Sequence, residues 1–323
     1  MKLLISGGAG YIGSHMVRYL QERGHEAVVL DDFSTGHDWS IKDVEVLRVN
    51  LLDESKLASI LKGRYFDGVV HFAAKTLVGE SIEKPDFYYK NNVTGTLNLV
   101  GEMLKNGVHN LVFSSTAAIF GNPISDKICE DHPKNPINPY GQSKLMVENI
   151  LRDICSSYDF FNVTCFRYFN AAGAHSSGSI GEDHNPETHL IPNILKSALS
   201  IKDKLKIFGD NYPTHDGTCI RDYVHVSDLA QAHLLGIEQM QEKRGFQAYN
   251  LGNGDGFSVL EVLKSCEQVI GGSIRYQIDE PRLGDSSILV ADSSKAINEL
   301  GWRPEHNQLN SIIKSAWIWH KER

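Results

Sequence analysis

Tyr140-Gly141-Gln142-Ser143-Lys144 sets a phenol and an ammonium four residues apart, a spacing that puts both on one helix face and lets them act as a single acid/base device. With the ammonium roughly 6 Å along the axis, phenolate is favoured. The Tyr140 pKa is therefore expected to fall from about 10 toward working pH, where the phenol accepts a proton from an alcohol. Such pairs occur by chance on many helices, and two other motifs give this one meaning. The chain opens with Gly7-Gly8-Ala9-Gly10-Tyr11-Ile12-Gly13, and Ser114-Ser115-Thr116 closes an apolar run. After the buried strand Leu3-Leu4-Ile5, Gly7 allows a tight turn, Gly10 lets the backbone approach a pyrophosphate, and Gly13 lets the next helix pack on the sheet. The helix N-terminus then meets the phosphates. The spacing is GxxGxxG, not GxGxxG, and Asp31-Asp32 closes the second strand about 20 residues on. A carboxylate there accepts from the adenosine ribose hydroxyls and repels a 2′-phosphate, which favours NAD over NADP. Thr116, at a strand's C-terminal end where ligands sit in such folds, offers a hydroxyl to share the same proton.

The elements that must position these groups follow from hydrophobic period. Apolar runs at 2–6, 27–31, 44–50, 67–72, 110–115 and 162–168 read as strands, with helices near 11–23, 53–62, 86–106 and 139–158 between them. Asn138-Pro139 is the entry signal of the helix bearing Tyr140. The fold class is α/β: a doubly wound parallel Rossmann sheet with a smaller C-terminal α/β substrate lobe. A dinucleotide-binding domain is expected over 1–172. Residues 173–323 form mainly the second lobe, with some segments returning to the first. There the rhythm breaks into a Gly/His/Asn-rich loop (173–187) and helices near 188–200, 227–243, 258–270, 293–300 and 307–321.

At 323 residues and 41% apolar composition, the chain is long enough for a full core. Its net charge of -8 argues against nucleic acid or acidic lipid as a bulk partner. Cys129, Cys155, Cys165, Cys219 and Cys266 are odd in number and contain no CxxC, so neither a disulfide framework nor a zinc site is expected, and a reducing cytoplasm fits. No apolar run approaches the roughly 18 residues of a membrane span, and no signal-peptide pattern follows Met1-Lys2. The 14 histidines form no HxxxH or HExxH array, and no metal is expected. His71 reads as a strand-end polar residue beside the cofactor, the sequons at Asn92 and Asn162 as chance, and Trp302, Trp317 and Trp319 as core of the last helices.

The chain resembles, in order and along its whole length, the UDP-galactose (UDP-glucose) 4-epimerases among the extended short-chain dehydrogenase/reductases. The residues that carry this are GGAGYIGSH (7–15), HFAA (71–74), VGES (78–81), NNVTGT (91–96), FSSTAAIFG (113–121), PYGQSKLMVE (139–148), RYFNAAGAH (167–175), GED (181–183), HLIP (189–192), IFGDNYPTHDGTCIRDYVHVSDLA (207–230), YNLGNG (249–254), and the closing GD and AD pairs at 284–285 and 291–292. The stretch Asn211–Tyr223 narrows the resemblance to the epimerases. It implies reversible inversion at carbon 4 of a UDP-hexose through a transient 4-keto sugar. Tyr140, with Lys144 and Thr116, handles the 4-hydroxyl proton while tightly held NAD takes and returns hydride. The keto sugar turns about its pyrophosphate linkage, so the UDP must be anchored and the hexose held loosely. By matching motifs, the cofactor falls to Gly7, Gly10, Tyr11, Ile12, Gly13, Asp31, Asp32, Asn50, Leu51, Phe72, Ala73, Ala74, Asn91, Ser114, Ser115, Tyr140, Lys144 and Tyr168. The substrate falls to Thr116, Asn170, His189, Leu190, Phe208, Arg221, Arg282 and Asp285. A homodimer through the helices around 86–106 and 139–158 is also implied.

Several positions depart from the family pattern. Thr116 stands where many members have Ser and keeps the hydroxyl. Asn50 stands where some place an Asp on the adenine. Thr76 replaces a Lys near the cofactor phosphate, with Lys75 one place earlier, so cofactor retention is expected to be weaker. Leu289 falls where a bulky Tyr tends to exclude N-acetyl sugars and smaller residues admit them, leaving UDP-GalNAc and UDP-GlcNAc open as substrates. Two rival readings share the fold. A sugar-nucleotide dehydratase needs an acid just after the Ser/Thr strand end, where this chain has Ala117 and Ala118. A non-catalytic NAD(H)-sensing protein would be expected to lose Tyr140 or Lys144.

Overall fold

The computed structural model describes residues 1–199, 204–282 and 285–323; Ser200, at the end of an expected helix, and Gly284 of the closing GD pair lie outside them. The first strand, β1 (Lys2–Ser6), sends Leu3 and Ile5 to one face and Leu4 to the other, all buried, as a strand covered by helices on both sides must. The chain continues through α1 (Tyr11–Glu22), β2 (Glu26–Asp31), β3 (Glu45–Arg48), α2 (Glu54–Leu61) and β4 (Gly68–His71). Next come α3 (Val78–Glu83), α4 (Pro85–Tyr89), α5 (Gly95–Lys105), β5 (Asn110–Thr116), α6 (Pro139–Ser157) and β6 (Asn162–Tyr168). The Tyr140 helix starts as its sequence dictates, with Pro139 in the first turn and the Asn138 side chain accepting from the Gly141 N–H at 2.9 Å.

Beyond β6 the chain builds β7 (Asn170–Ala172), α7 (Leu190–Ala198), β8 (Leu205–Phe208), β9 (Ile220–His225), α8 (Val226–Gln239) and β10 (Phe246–Leu251). It closes with β11 (Gly256–Ser258), α9 (Val259–Ile270), β12 (Tyr276–Asp279), β13 (Ile288–Leu289), α10 (Ser294–Leu300) and α11 (Leu309–Lys321). The main sheet has the order β10-β6-β5-β4-β1-β2-β3 with every pair parallel. One face is covered by α1 and α8, the other by α2, α5 and α6. A smaller sheet joins β7, β9, β11 and β13, β8 pairs with β12, and a third apolar core lies between α7, α9 and α11. Among the described residues, no helix is long and apolar enough to cross a membrane.

The α/β architecture agrees with the sequence reading, and the differences are local. The helix expected over 86–106 is broken by a π-helical turn at Lys90–Thr94. The widened turn lets Asn92 point inward, where its side chain bonds both the Lys75 backbone and Ser143. Helix α3 was not expected, because six residues are too few to display a helical period. Strand β10, deep in the second half, completes the first sheet beside β6. Asn92 and Asn162, the two sequon residues, are buried and committed to internal hydrogen bonds. Trp302 and Trp319 are buried and Trp317 half-buried, as core.

Three histidines are buried away from carboxylate partners. His233 sits among the rings of Phe72, Phe166 and Tyr168, and His71 lies between the Ser6 and Thr96 hydroxyls. His15 is buried on α1, with Nδ1 2.8 Å from the Tyr11 carbonyl oxygen. Burial lowers the pKa of His71 to about 3 and those of His15 and His233 to about 4. The unfolded chain takes up these protons near pH 6.5. Their stability contribution is therefore complete above pH 6.5 and is lost as pH falls toward 3–4. Urea midpoints should drop steadily between pH 7 and 4.5, and His233→Phe should flatten part of that slope; an unchanged slope would exclude His233 as a contributor.

Candidate active site

The glycine loop turns directly off β1. Gly7 has φ +77°, and a Cβ there would lie 2.5 Å from the Ala73 nitrogen, because Phe72 and Ala73 wrap over it with both N–H groups on the Ser6 carbonyl. A Cβ on Gly13 would meet the Gly7 carbonyl oxygen at 2.1 Å, so α1 can approach the loop only with glycine there. Gly10 differs: its nearest neighbour would be 3.4 Å away, and among the described residues no side chain caps the helix it begins. The first amides of α1 are thus left for an anion, the fit a dinucleotide pyrophosphate requires. Ile12 packs into the core below.

At the end of β2, the Asp31 carboxylate accepts from the Ala9 N–H at 2.9 Å and the Phe33 N–H at 2.8 Å, fixing the glycine loop to the strand end. Burial pushes its carboxyl up, opposed by those two donors. Asp32 accepts from Ser34 N–H at 2.8 Å and from the Asn50 amide at 2.5 Å. Asn98 donates to the Leu51 carbonyl at 2.9 Å, and Asn91 to Asn92 at 3.0 Å. Lys75 reaches the Ser34 hydroxyl at 3.2 Å, which keeps an ammonium beside the Asp31–Asp32 turn despite Thr76. Tyr11 has a use the sequence did not reveal: its hydroxyl donates to the Gly173 carbonyl at 2.6 Å and ties the glycine loop to the second lobe.

The three hydroxyls at the end of β5 go to three different partners. Ser114 hydrogen-bonds Tyr168. Ser115 donates to Glu148 at 2.5 Å. Thr116 is the hydroxyl that acts on the Tyr140 phenol, opposing the upward push of burial, while its oxygen accepts from the Ala118 N–H at 3.1 Å. One turn along α6, the buried Lys144 ammonium donates to the Ser114 carbonyl at 2.8 Å and lies 4.8 Å from the Phe113 ring centre. The expected fall in the Tyr140 pKa is not found. Burial pushes the phenol up, with only the Thr116 hydroxyl opposing it, and burial also lowers Lys144 to about 7. An amine whose charged form burial disfavours, turned toward a carbonyl, is a weak source of positive charge for the phenol.

In the second lobe, Arg221 donates to the Ser286 carbonyl at 2.7 Å and stands 3.6 Å from the Asp285 carboxylate. The Arg282 guanidinium stacks 4.0 Å over the Phe208 ring, and the Asp285 N–H bonds the Arg282 carbonyl at 3.3 Å. Phe208, Arg221, Arg282 and Asp285 therefore form one group carrying two guanidinium forks, which suits a diphosphate. Asn170 donates to the Asp222 carbonyl at 2.8 Å beside them. His189, immediately before Leu190 at the start of α7, is instead engaged with Glu182.

Sequence reasoning passed over the residues that hold this arrangement. Glu148 and Arg167 are fully buried and paired twice, Nη2 to Oε2 at 2.6 Å and Nε to Oε1 at 3.0 Å, with Arg167 also donating to the Glu130 carbonyl. A lone charge, Arg167, in the strand Asn162–Tyr168 was the available signal, since such a charge demands a partner. Asp222 accepts three backbone N–H groups, from Asn253, Gly254 and Ala291.

The family description "NAD dependent epimerase/dehydratase family" matches residues 3–252. The chain belongs to this family. It is 49% identical over 99% of its length to a UDP-glucose 4-epimerase of Lactobacillus helveticus, covering 97% of that protein. It is 47% identical over 100% to one of Halalkalibacterium halodurans, covering 96%. A crystal structure of UDP-glucose 4-epimerase from Bifidobacterium longum in complex with NAD+ and UDP superposes with a TM-score of 0.96 at 37% identity, over 100% of this chain and 99% of that one.

Removing one member of the buried pair strands the other. Glu148→Ala should lower the unfolding free energy by about 3–5 kcal/mol in urea titrations, whereas a loss under about 1 kcal/mol would mean that water or Glu130 compensates Arg167 fully.

Proposed function

We propose that this chain is an NAD-dependent UDP-glucose 4-epimerase that interconverts UDP-galactose and UDP-glucose. The observation that carries the reading is the Tyr140 phenol, acted on by the Thr116 hydroxyl, one turn from the buried Lys144. They sit at the carboxyl edge of the sheet that also presents the glycine loop. Bound on that loop, NAD supplies the acceptor and then the donor of hydride at carbon 4. Tyr140 takes the sugar's 4-hydroxyl proton and later returns it. Thr116 stabilises the phenolate by donating to it, and Lys144 holds the strand end through the Ser114 carbonyl. Asp31 and Asp32 receive the adenosine ribose. Arg221, Arg282 and Asp285, with Phe208 and Asn170, hold the UDP so that the transient 4-keto sugar can turn and present its other face.

The division of labour follows the two lobes, 1–172 for NAD and 173–323 mainly for the UDP-sugar, with α8 and β10 returned to the first. The turn after Thr116 opens with the apolar Ala117 and Ala118, so elimination of water from the keto sugar has no acid or base there, which disfavours a dehydratase. Tyr140 and Lys144 both being in place disfavours a non-catalytic NAD(H) sensor. Leu289 packs on the cluster of Ala117, Ile119, Phe120 and Ile128 that follows Thr116, a placement that suits a gate on the sugar's acetamido side and leaves UDP-GalNAc and UDP-GlcNAc open as substrates. We place the enzyme in the cytoplasm, in keeping with five unbridged cysteines, and as a homodimer. Val78, Ile82, Phe87, Leu97 and Met146 are exposed on α3–α6, where that contact would form.

Purified protein given UDP-galactose without added cofactor should yield UDP-glucose by chromatography. Product only after NAD⁺ addition would indicate weak retention, and none in either case would reject the function. Tyr140→Phe should cut kcat by at least about 100-fold with the fold intact, and retained activity would remove Tyr140 from its role. Thr116→Val should slow turnover strongly and Thr116→Ser little. Leu289→Tyr should lower the rate on UDP-GalNAc relative to UDP-galactose; an unchanged ratio would place the gate elsewhere.

A further inference from the structure

The loop that enters α7 gathers Glu182, His184, Glu187 and His189, with one ligand-capable atom of each within 4.8 Å of the others. Glu182 is buried; one of its carboxylate oxygens stands 3.1 Å from His184 Nδ1 and is hydrogen-bonded to His189 Nδ1. Glu187 presents an oxygen 3.8 Å from the same His184 nitrogen, while its other oxygen faces the Lys196 ammonium at 3.4 Å. The sequence pattern is Glu-x-His-x-x-Glu-x-His, which matches none of the histidine spacings expected of a metal site and only becomes a cluster through the fold of the loop.

The backbone beneath these side chains is fixed independently of any ligand. Trp319 donates its indole N–H to the Glu182 carbonyl at 3.0 Å, and its ring lies where a Cβ on Gly181 would fall, 2.5 Å away. Glu187 accepts from the Thr188 and His189 N–H groups at 2.9 and 3.0 Å. Asn193 donates to the His189 carbonyl at 2.8 Å, and the Tyr11 ring stands edge-on to His184 with centres 6.2 Å apart. One ligand-capable atom of each of the four thus lies within 4.8 Å of the others on a backbone held by separate contacts, as a binding site requires.

Two carboxylates held close together and partly out of water need two positive charges near them. A single divalent cation supplies both at once while leaving the imidazoles neutral, and two carboxylates with two imidazoles suit zinc and its first-row neighbours better than magnesium or calcium. Ligand atoms about a four-coordinate ion bound at about 2.0–2.2 Å are separated by about 3.3–3.6 Å. The 3.1 and 3.8 Å separations of His184 from the two carboxylates bracket that value. We propose that Glu182, His184, Glu187 and His189 bind a first-row divalent transition cation of the zinc type, pinning the 182–189 loop to the start of α7.

A second gathering, His225, Asp228 and His306, serves as the contrast. His225 uses both ring nitrogens, on Ser315 and the Ser227 N–H, and lies flat on the His306 ring at 4.0 Å. Asp228 is filled by the Glu305 and His306 N–H groups. One ligand-capable atom of each also lies within 4.8 Å of the others, but both His225 nitrogens and both Asp228 oxygens are already taken by neighbours outside the cluster or by backbone N–H groups.

The full chain, dialysed against EDTA, should take up one equivalent of Zn²⁺ by isothermal titration calorimetry, and Co²⁺ should give the visible d–d absorption of a four- or five-coordinate site. His184→Gln, at a half-exposed position, and Glu182→Gln should weaken Zn²⁺ binding at least about 10- to 100-fold and abolish the cobalt band. His306→Gln should leave both unchanged. Because loss of the buried Glu182 can impair folding, the wild-type cobalt spectrum and the His184 variant decide the matter without it. Absence of saturable binding, or binding unaltered in His184→Gln, would overturn the proposal and mean that protons on the two imidazoles balance the carboxylates.

Discussion

Two opposite charges face each other inside the sheet, Glu148 on α6 and Arg167 on β6, both withdrawn from water. Neither can be left alone there, so the helix is held to the strands at one rotation and one height. That setting passes directly to the chemistry, because Ser115 donates to the same carboxylate and is thereby turned away from the neighbouring hydroxyl. With Ser114 occupied by Tyr168, Thr116 is the residue of the three that meets Tyr140. Two turns up the same helix from Glu148, Tyr140 is carried to the strand end, and Lys144 is aimed at the Ser114 carbonyl. A site whose parts lie on separate elements is thus registered by one ion pair buried behind it.

A second set of contacts joins the lobes around the glycine loop. Tyr11 reaches Gly173, His37 reaches the Asp183 carbonyl at 2.9 Å, and the Trp39 and Trp319 rings pack at a 30° tilt with centres 5.1 Å apart. Arg323 lies over both rings and pairs with Asp183. The Tyr11, His37 and Trp39 contacts link residues after β1 or β2 to the 173–189 loop or to α11, and Arg323, just past α11, joins Trp39 and Trp319 to Asp183. Mostly aromatic and partly buried, they are less sensitive to salt than surface ion pairs would be.

What the sequence made legible was local and periodic. The glycine loop, the alternation of strands and helices through β6, the Asn138-Pro139 helix entry and the Tyr140–Lys144 spacing all depend on near neighbours, and all appear where their patterns place them. The electrostatics were misjudged because burial was invisible: the spacing of Tyr140 and Lys144 says nothing of the desolvation that raises one and lowers the other. The π-helical turn, the partner of Arg167, the Asp222 carboxylate and the gathering at 182–189 depend on residues brought together from afar or on a loop's own path. Arg221 and Asp285, 64 positions apart in sequence, were united by family resemblance, not by any pattern in the chain.

Strand β10 gives the architecture a temporal side. The chain leaves the main sheet after β6, builds much of the second lobe, and returns some 80 residues later to cover the edge that β6 had left open. During synthesis that edge, a strand buried along its whole length in the finished protein, waits with unpaired backbone groups while residues up to Leu251 emerge from the ribosome. The return strand pairs over a long sequence separation, so its closure is an intrinsically slow event on which completion of the first domain depends. The two sheets are therefore linked in their making: the nascent seven-stranded sheet stays adhesive until much of the segment that builds the smaller one has been made.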